Sequence, residues 1–327
     1  MFIENDIKNN GFITIKLPEG IDLKSEILKM KAEKNAVILA HYYVSDDIQA
    51  IADYIGDSLA LAQISKKLSA EIIVFCGVHF MAETAKILNP NAKVLLPDLN
   101  AGCSLADSAP EASFKEFKSQ YPDAVVVSYI NCSSAIKALS DYICTSSNAI
   151  NVVNAIPKEK QIIFAPDKNL GMYVQQVTGR DLILWDGACM VHVNISIEKL
   201  QMIIDVNPEA ELIAHPECLP AVLSKAQFIG STKALLAYVQ TSPTNTFIVA
   251  TEAGILYQMK LQAPDKKFIP APALESNSCA CSECPYMKMN TLEKLYNTLY
   301  HELPEIYVNE KTQEGALKAL NNMLAIQ

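Results

Sequence analysis

The residues best suited to chemistry recur at matched distances. His41 is followed by Ser58, Tyr129 by Ser146 and His215 by Thr232, an interval of 17 residues each time. Imidazole and phenol can move protons, and a hydroxyl can bind an anion or cap a helix. Tyr43, Asn131 and Glu217 lie two residues past the three anchors. Glu217, in the run HPEC, is a carboxylate just outside an apolar stretch, where burial tunes a group for proton transfer. His192 stands three residues after Cys189 in CMVH, as a neighbour of a metal site or an ordinary loop residue.

Nine cysteines form a second set, an odd count in a chain of 327 residues. Disulfide frameworks belong to short secreted chains, so metal ligation by some thiols and packing by the rest is the stronger expectation. One cysteine closes each recurring segment: Cys103, Cys189, and one of Cys279, Cys281 and Cys284. A structural zinc site would require a fourth ligand. Three thiolates suit a [4Fe–4S] cluster with one iron left open as a Lewis acid. A zinc clip confined to CACSEC, with Cys103 and Cys189 packing in cores, is the alternative. Counted from the anchors, Cys279 is the nearest third match. Cys284 instead precedes Pro285 and the run PYMKMNTLEKLY, which predicts a helix starting at the proline, with the thiolate at its positive end.

The elements that must position these residues follow from the same repeat. Three apolar runs end at the anchors: AVILAHYY, AVVVSYIN and AELIAHPE. A second strand follows in each as EIIVF, QIIFA and TFIVA, and a third as KVLLP, DLILW and KKFIP. Helical periodicity fills the intervals, as in SLALAQISKKL and STKALLAYVQ. Continuous apolar strands alternating with helices predict parallel sheets covered on both faces. The expected fold is therefore α/β, with three repeated αβα sandwich domains over 1–107, 108–195 and 196–289. Helices in 290–327 are expected to pack back on the body. A pseudo-threefold arrangement would converge the strand ends on a central active site.

Hydrophobic residues make up 50% and charged residues 19%, a globular balance, and the net charge of −9 argues against nucleic acid. No apolar run approaches the roughly 20 residues of a membrane helix, and the first residues lack a secretory pattern, so a cytoplasmic location is expected.

The stretches AHYYVSDDIQAIADYIGDSLALA, PDLNAGCSLADS, YINCSSAIKALSDYICTSSNA, FAPDKNLG, WDGACMVH, ATEAGILYQM and CPYMKMNTLEKLY resemble the quinolinate synthase family, from about Asn35 to Tyr300. The resemblance implies condensation of iminoaspartate with dihydroxyacetone phosphate to quinolinate, with loss of phosphate and water, in de novo NAD synthesis. It implies one [4Fe–4S] cluster per chain on Cys103, Cys189 and Cys284, with one open iron. His41, Ser58, Tyr129, Asn131, Ser146, His215, Glu217 and Thr232 match substrate contacts. Tyr43 and His192 match acid–base or closure residues, and join Glu217 and His215 as catalytic candidates. A transient contact with an L-aspartate oxidase or dehydrogenase as source of iminoaspartate is also implied. The Cys279-x-Cys281-x-x-Cys284 spacing departs from the C-x-x-C-x-x-C of some members, which leaves the roles of Cys279 and Cys281 open. The rival readings are an iron–sulfur hydro-lyase and a non-catalytic iron–sulfur sensor.

Overall fold

The structure is a computed structural model that describes residues 2–274 and 282–326. Cys279 and Cys281 lie outside the described residues. Three four-stranded sheets, parallel throughout, carry the chain. The first holds β1 (Ala36–His41), β2 (Tyr54–Gly56), β3 (Ile72–Cys76) and β4 (Lys93–Leu95), in the order β2-β1-β3-β4. The second holds β5 (Val125–Tyr129), β6 (Tyr142–Cys144), β7 (Ile162–Ala165) and β8 (Ile183–Leu184), in the order β6-β5-β7-β8. The third holds β9 (Glu211–Ala214), β10 (Phe228–Ile229), β11 (Thr246–Ala250) and β12 (Lys267–Pro270), in the order β10-β9-β11-β12. The expected α/β repeat is therefore present three times with one strand order.

Burial explains the composition of the strands. All five residues of β3 and all four of β7 are buried, because helices cover both faces. Each fully buried Val, Ile, Leu or Phe contributes about 1.5–3 kcal/mol relative to an exposed one. The helix Ser58–Lys67 coincides with SLALAQISKKL, and Thr232–Thr241 with STKALLAYVQ.

The sequence pattern anticipated three strands per repeat, and each sheet has four. The extra strands, β2, β6 and β10, are edge strands of two or three residues, too short to show a period. A hydrogen-bonding residue just before each one fastens it. Asp53 Oδ2 accepts the Ile38 N–H at 2.8 Å, while the Asp53 N–H returns to the Ile38 carbonyl at 2.9 Å. Asp141 makes the same exchange with Val126, and Gln227 with Leu212. That reciprocal clasp accounts for the recurring DYIG, DYIC and QFIG.

The chain forms two compact units: Met1–Cys103 with Pro285–Leu317, and Ser104–Cys284 with Lys318–Gln327. The first sheet belongs to one, the second and third sheets to the other. In the first unit the helix Leu292–His301 packs on the helix Leu23–Glu33 and on β3. Asn297 Nδ2 in it donates to the carbonyls of Ile13 and Ile15. The second C-terminal helix spans Glu310–Ala325.

Candidate active site

In the Ser104–Cys284 unit, the carboxyl ends of β5 and β9 bring five of the candidate residues together. Tyr129 closes β5, and His215 follows directly on β9. The Tyr129 hydroxyl donates to Glu217 Oε1 at 2.5 Å. His192 Nδ1 lies 3.1 Å from Glu217 Oε2, outside good hydrogen-bond alignment, so the contact is chiefly electrostatic. The His192 and His215 rings stack with centroids 4.8 Å apart. His215 Nε2 is 3.1 Å from Ser146 Oγ, and His192 Nε2 is 3.0 Å from Thr251 Oγ1.

These contacts fix tautomers. His215 Nδ1 accepts the Glu217 N–H at 3.4 Å, so its proton sits on Nε2, which donates to Ser146. Its Nδ1 is also 3.7 Å from Glu217 Oε1, too far for a hydrogen bond. Burial pushes the His215 imidazole down to about 3, against the pull of Glu217, so the ring is neutral at pH 7. Burial alone would raise the Glu217 carboxyl. His192, His215 and the Tyr129 hydroxyl outweigh it and hold the group at about 2, an ionised carboxylate. Beside it, burial and the Glu217 charge push the Asp167 carboxyl well above the usual carboxylate range, against three backbone N–H groups that favour its anion. The buried Asn131 Oδ1 and His192 Nδ1 have no hydrogen-bond partner within the chain. Such groups are costly unless a ligand or water pairs with them.

The hydroxyls stand differently from the expected helix caps. Asp57 and Ser231, not Ser58 and Thr232, cap their helices, with side chains accepting from the Ala60 and Ala234 N–H groups. Ser58 and Thr232 are first helical residues, one position later. Ser146 lies before Asn148, which precedes the helix Ala149–Ala155, and bonds His215 instead. Ser147 Oγ donates to Ser231 Oγ at 2.8 Å, so the Ser146–Ser147 turn abuts the start of Thr232–Thr241.

In the other unit, His41 is buried at the end of β1, its Nδ1 accepting the Tyr43 N–H at 3.2 Å. Tyr43 is half-buried, edge-on to the His41 ring, and Lys288 Nζ donates to its carbonyl. Ser58 opens the helix that follows β2. Cys103 ends the loop after β4.

Among the described residues the cysteines fall into two classes. Cys76, Cys132, Cys144 and Cys218 are buried, while Cys103, Cys189 and Cys284 are partly exposed. Burial raises the thiols of Cys76, Cys144 and Cys218 well above their ordinary value, which makes them poor ligands. The three partly exposed cysteines share a local frame. Past β3, the His79 N–H donates to the Ala101 carbonyl at 2.7 Å, two residues before Cys103. Past β7, the Lys168 N–H donates to Gly187 at 2.9 Å, two before Cys189. Past β11, the Ala253 N–H donates to Ser282 at 2.9 Å, two before Cys284. In the second loop a Cβ at Gly187 would lie 2.5 Å from the Pro166 carbonyl oxygen, so glycine stands there where the other two loops hold Ala101 and Ser282.

The expected helix at Pro285 does not form. A short 3₁₀ turn, Met287–Met289, follows Cys284, and the helix begins at Leu292 behind the cap Thr291. The Thr291 hydroxyl and its extended backbone supply a better start than the proline. The partner of Cys284 is therefore the β11 loop and not a helix end.

Cys189, His192 and Glu217 offer ligand atoms that all lie within 4.8 Å of one another, and could hold a metal ion. Asp167, Thr251 and Glu252 escaped the sequence reading. Asp167 and Glu252 each stand two residues past a strand end, in FAPD and VATE, and aligning the repeats through β7 and β11 would have found them.

A family model described as Quinolinate synthetase A protein matches residues 25–325. The quinolinate synthase of Nostoc punctiforme is 60% identical over 304 residues, covering 93% of this chain and 93% of the relative. That of Gloeothece citriformis is 60% identical over 303 residues, again covering 93% of each. That of a Synechococcus species is 57% identical over 305 residues, covering 93% of this chain and 95% of the relative.

Proposed function

We propose, from the premise that this chain belongs to the quinolinate synthetase A family, that it condenses iminoaspartate with dihydroxyacetone phosphate to quinolinate. The chain is an enzyme, and quinolinate synthase function in NAD biosynthesis is supported by its relatives. The proposed reaction releases one phosphate and two waters. Its atoms balance without an oxidant or reductant, so the work is carbon–carbon bond formation and proton movement. Cytoplasmic location is part of the same proposal; among the described residues no helix is long and apolar enough to cross a membrane.

The observation that carries the reading is the buried Glu217 carboxylate between Tyr129, His192 and His215. An ionised carboxylate in hydrogen-bond reach of a phenol can take a proton from carbon or nitrogen and return it. Tyr129 steadies the anion through its hydrogen bond. His215, neutral and with Nε2–H toward Ser146, orients that hydroxyl toward a substrate oxygen. Asn131 Oδ1 lacks a hydrogen-bond partner in the chain and suits a substrate that supplies one. Ser146 and Thr232 suit its carboxylates or phosphate, where helix N–H groups also favour anions. His41, Tyr43 and Ser58 are proposed to complete the substrate contacts, with Tyr43 as a further proton donor.

The donor set fits a [4Fe–4S] cluster. Cys103, Cys189 and Cys284 share one frame and are partly exposed residues, whereas the other described cysteines are buried. When bound, the cluster would supply an open iron that polarises a carboxylate or carbonyl oxygen. Supplying both substrates anaerobically and detecting quinolinate tests the reading. Product is expected only with both; turnover of a hydroxy acid alone would indicate a hydro-lyase instead.

A further inference from the structure

Two of the three cysteine loops carry a feature that the third lacks. Two residues past β7 stands Asp167, and two past β11 stands Glu252; both side chains belong to fully buried residues. Each divides its two oxygens between two jobs. Asp167 Oδ1 accepts the Leu170 N–H at 2.8 Å and caps the helix Lys168–Thr178, while Oδ2 accepts the Cys189 N–H at 3.2 Å. Glu252 Oε2 accepts the Gly254 N–H at 2.7 Å, at the start of Ile255–Gln262, while Oε1 accepts the Cys284 N–H at 3.0 Å. The equivalent residue past β3 is Val78, which has no side-chain acceptor to offer.

We infer that Asp167 and Glu252 are positioning residues, each clamping the backbone of one ligand cysteine to the start of the neighbouring helix. The inference rests on the reading that Cys189 and Cys284 bind the cluster. The two acids differ by one methylene yet reach the same backbone atom in their repeats, which argues against a chance contact. A clamp of this kind fixes the thiolate direction before the group binds, and removes an ordering cost from binding. It requires two acceptor oxygens. An acid provides them with or without a proton, because a hydroxyl oxygen still accepts. An amide does not: with its oxygen kept on the N–H at the helix start, its NH₂ would face the cysteine N–H, donor against donor.

Asp167→Asn and Glu252→Gln therefore keep the bond to the Leu170 or Gly254 N–H and release the cysteine. Supporting groups around metal ligands typically change metal affinity by about 10–100-fold. Anaerobically loaded protein of either variant should lose iron to a chelator at least about tenfold faster than wild type. Metal-free protein labelled with ¹⁵N-cysteine supplies the second readout. The Cys189 amide should shift in Asp167→Asn alone and the Cys284 amide in Glu252→Gln alone. Unmoved amides would overturn the clamp, and moved amides with unchanged iron loss would overturn its role toward the cluster. A wild-type chain that loads no iron and sulfide would defeat the ligand reading, while the amide shifts still decide the clamp. Should a variant not fold, hydrogen exchange in metal-free wild type decides: protected Cys189 and Cys284 amides support it, and exchange at the rate of open loops refutes it.

Discussion

After β1, His41 Nδ1 accepts the N–H of the residue two places on, at 3.2 Å; after β9, His215 Nδ1 does the same at 3.4 Å. The turn is the same and the side chain it presents is not. At the first site it is Tyr43, a half-buried phenol edge-on to its histidine. At the second it is Glu217, buried, ionised, and held by Tyr129 and two imidazoles. The repeat thus preserves a backbone device that orients an imidazole and varies the partner group. Under the proposed function, proton chemistry concentrates where the carboxylate is.

The sharpest way to break this comparison is to neutralise the carboxylate. Glu217→Gln keeps shape and volume and removes the base, so turnover should fall by roughly 10²–10⁴-fold while iron content is unchanged. Tyr43→Phe should cost far less. A hydrogen bond at a half-exposed position is worth about 0.5–1.5 kcal/mol, a loss of about 2–10-fold in rate. Equal losses in the two variants, in an anaerobic steady-state assay, would contradict the division of labour.

Acid sensitivity sharpens the comparison further. An unfolded chain protonates histidine near 6.5, whereas His215 in the fold protonates only near 3. Below pH 6.5 the unfolded state therefore binds the extra proton, so the stability is complete above 6.5 and declines as pH falls toward 3. The limiting slope is about 1.4 kcal/mol per pH unit for one proton. Glu217, held near 2 in the fold, adds a second decline only below about 4.5. Thermal unfolding of metal-free protein should show a falling Tm from pH 6.5 to 4.5, with a flatter profile in His215→Gln. Parallel profiles would place the sensitivity elsewhere.

How much of this was legible in the sequence depends on the range of the interactions. The sheets were legible because β1, β5 and β9 and their second and third partners are continuous apolar runs. The edge strands were not, since two or three residues carry no period and their pairing depends on Asp53, Asp141 and Gln227 reaching back 15 residues. His215 and Glu217 stood out by spacing, but their link to Tyr129 spans 88 residues and appears only in the fold. The helix expected at Pro285 failed because a favourable first residue does not outweigh the better start at Thr291. Cys284 is linked to its repeat by a backbone hydrogen bond from the β11 loop and by Glu252 Oε1, neither of which the spacing of the cysteines records.

The central claim is that one cysteine from each repeat, Cys103, Cys189 and Cys284, holds a single cluster. Its most direct test is anaerobic iron and sulfide content in Cys103→Ala, Cys189→Ala, Cys284→Ala, Cys279→Ala and Cys281→Ala. The account predicts that each of the first three loses the cluster and that the last two retain about four irons per chain. A Cys284→Ala protein with a full, active cluster, or a Cys279→Ala or Cys281→Ala protein without one, would contradict it.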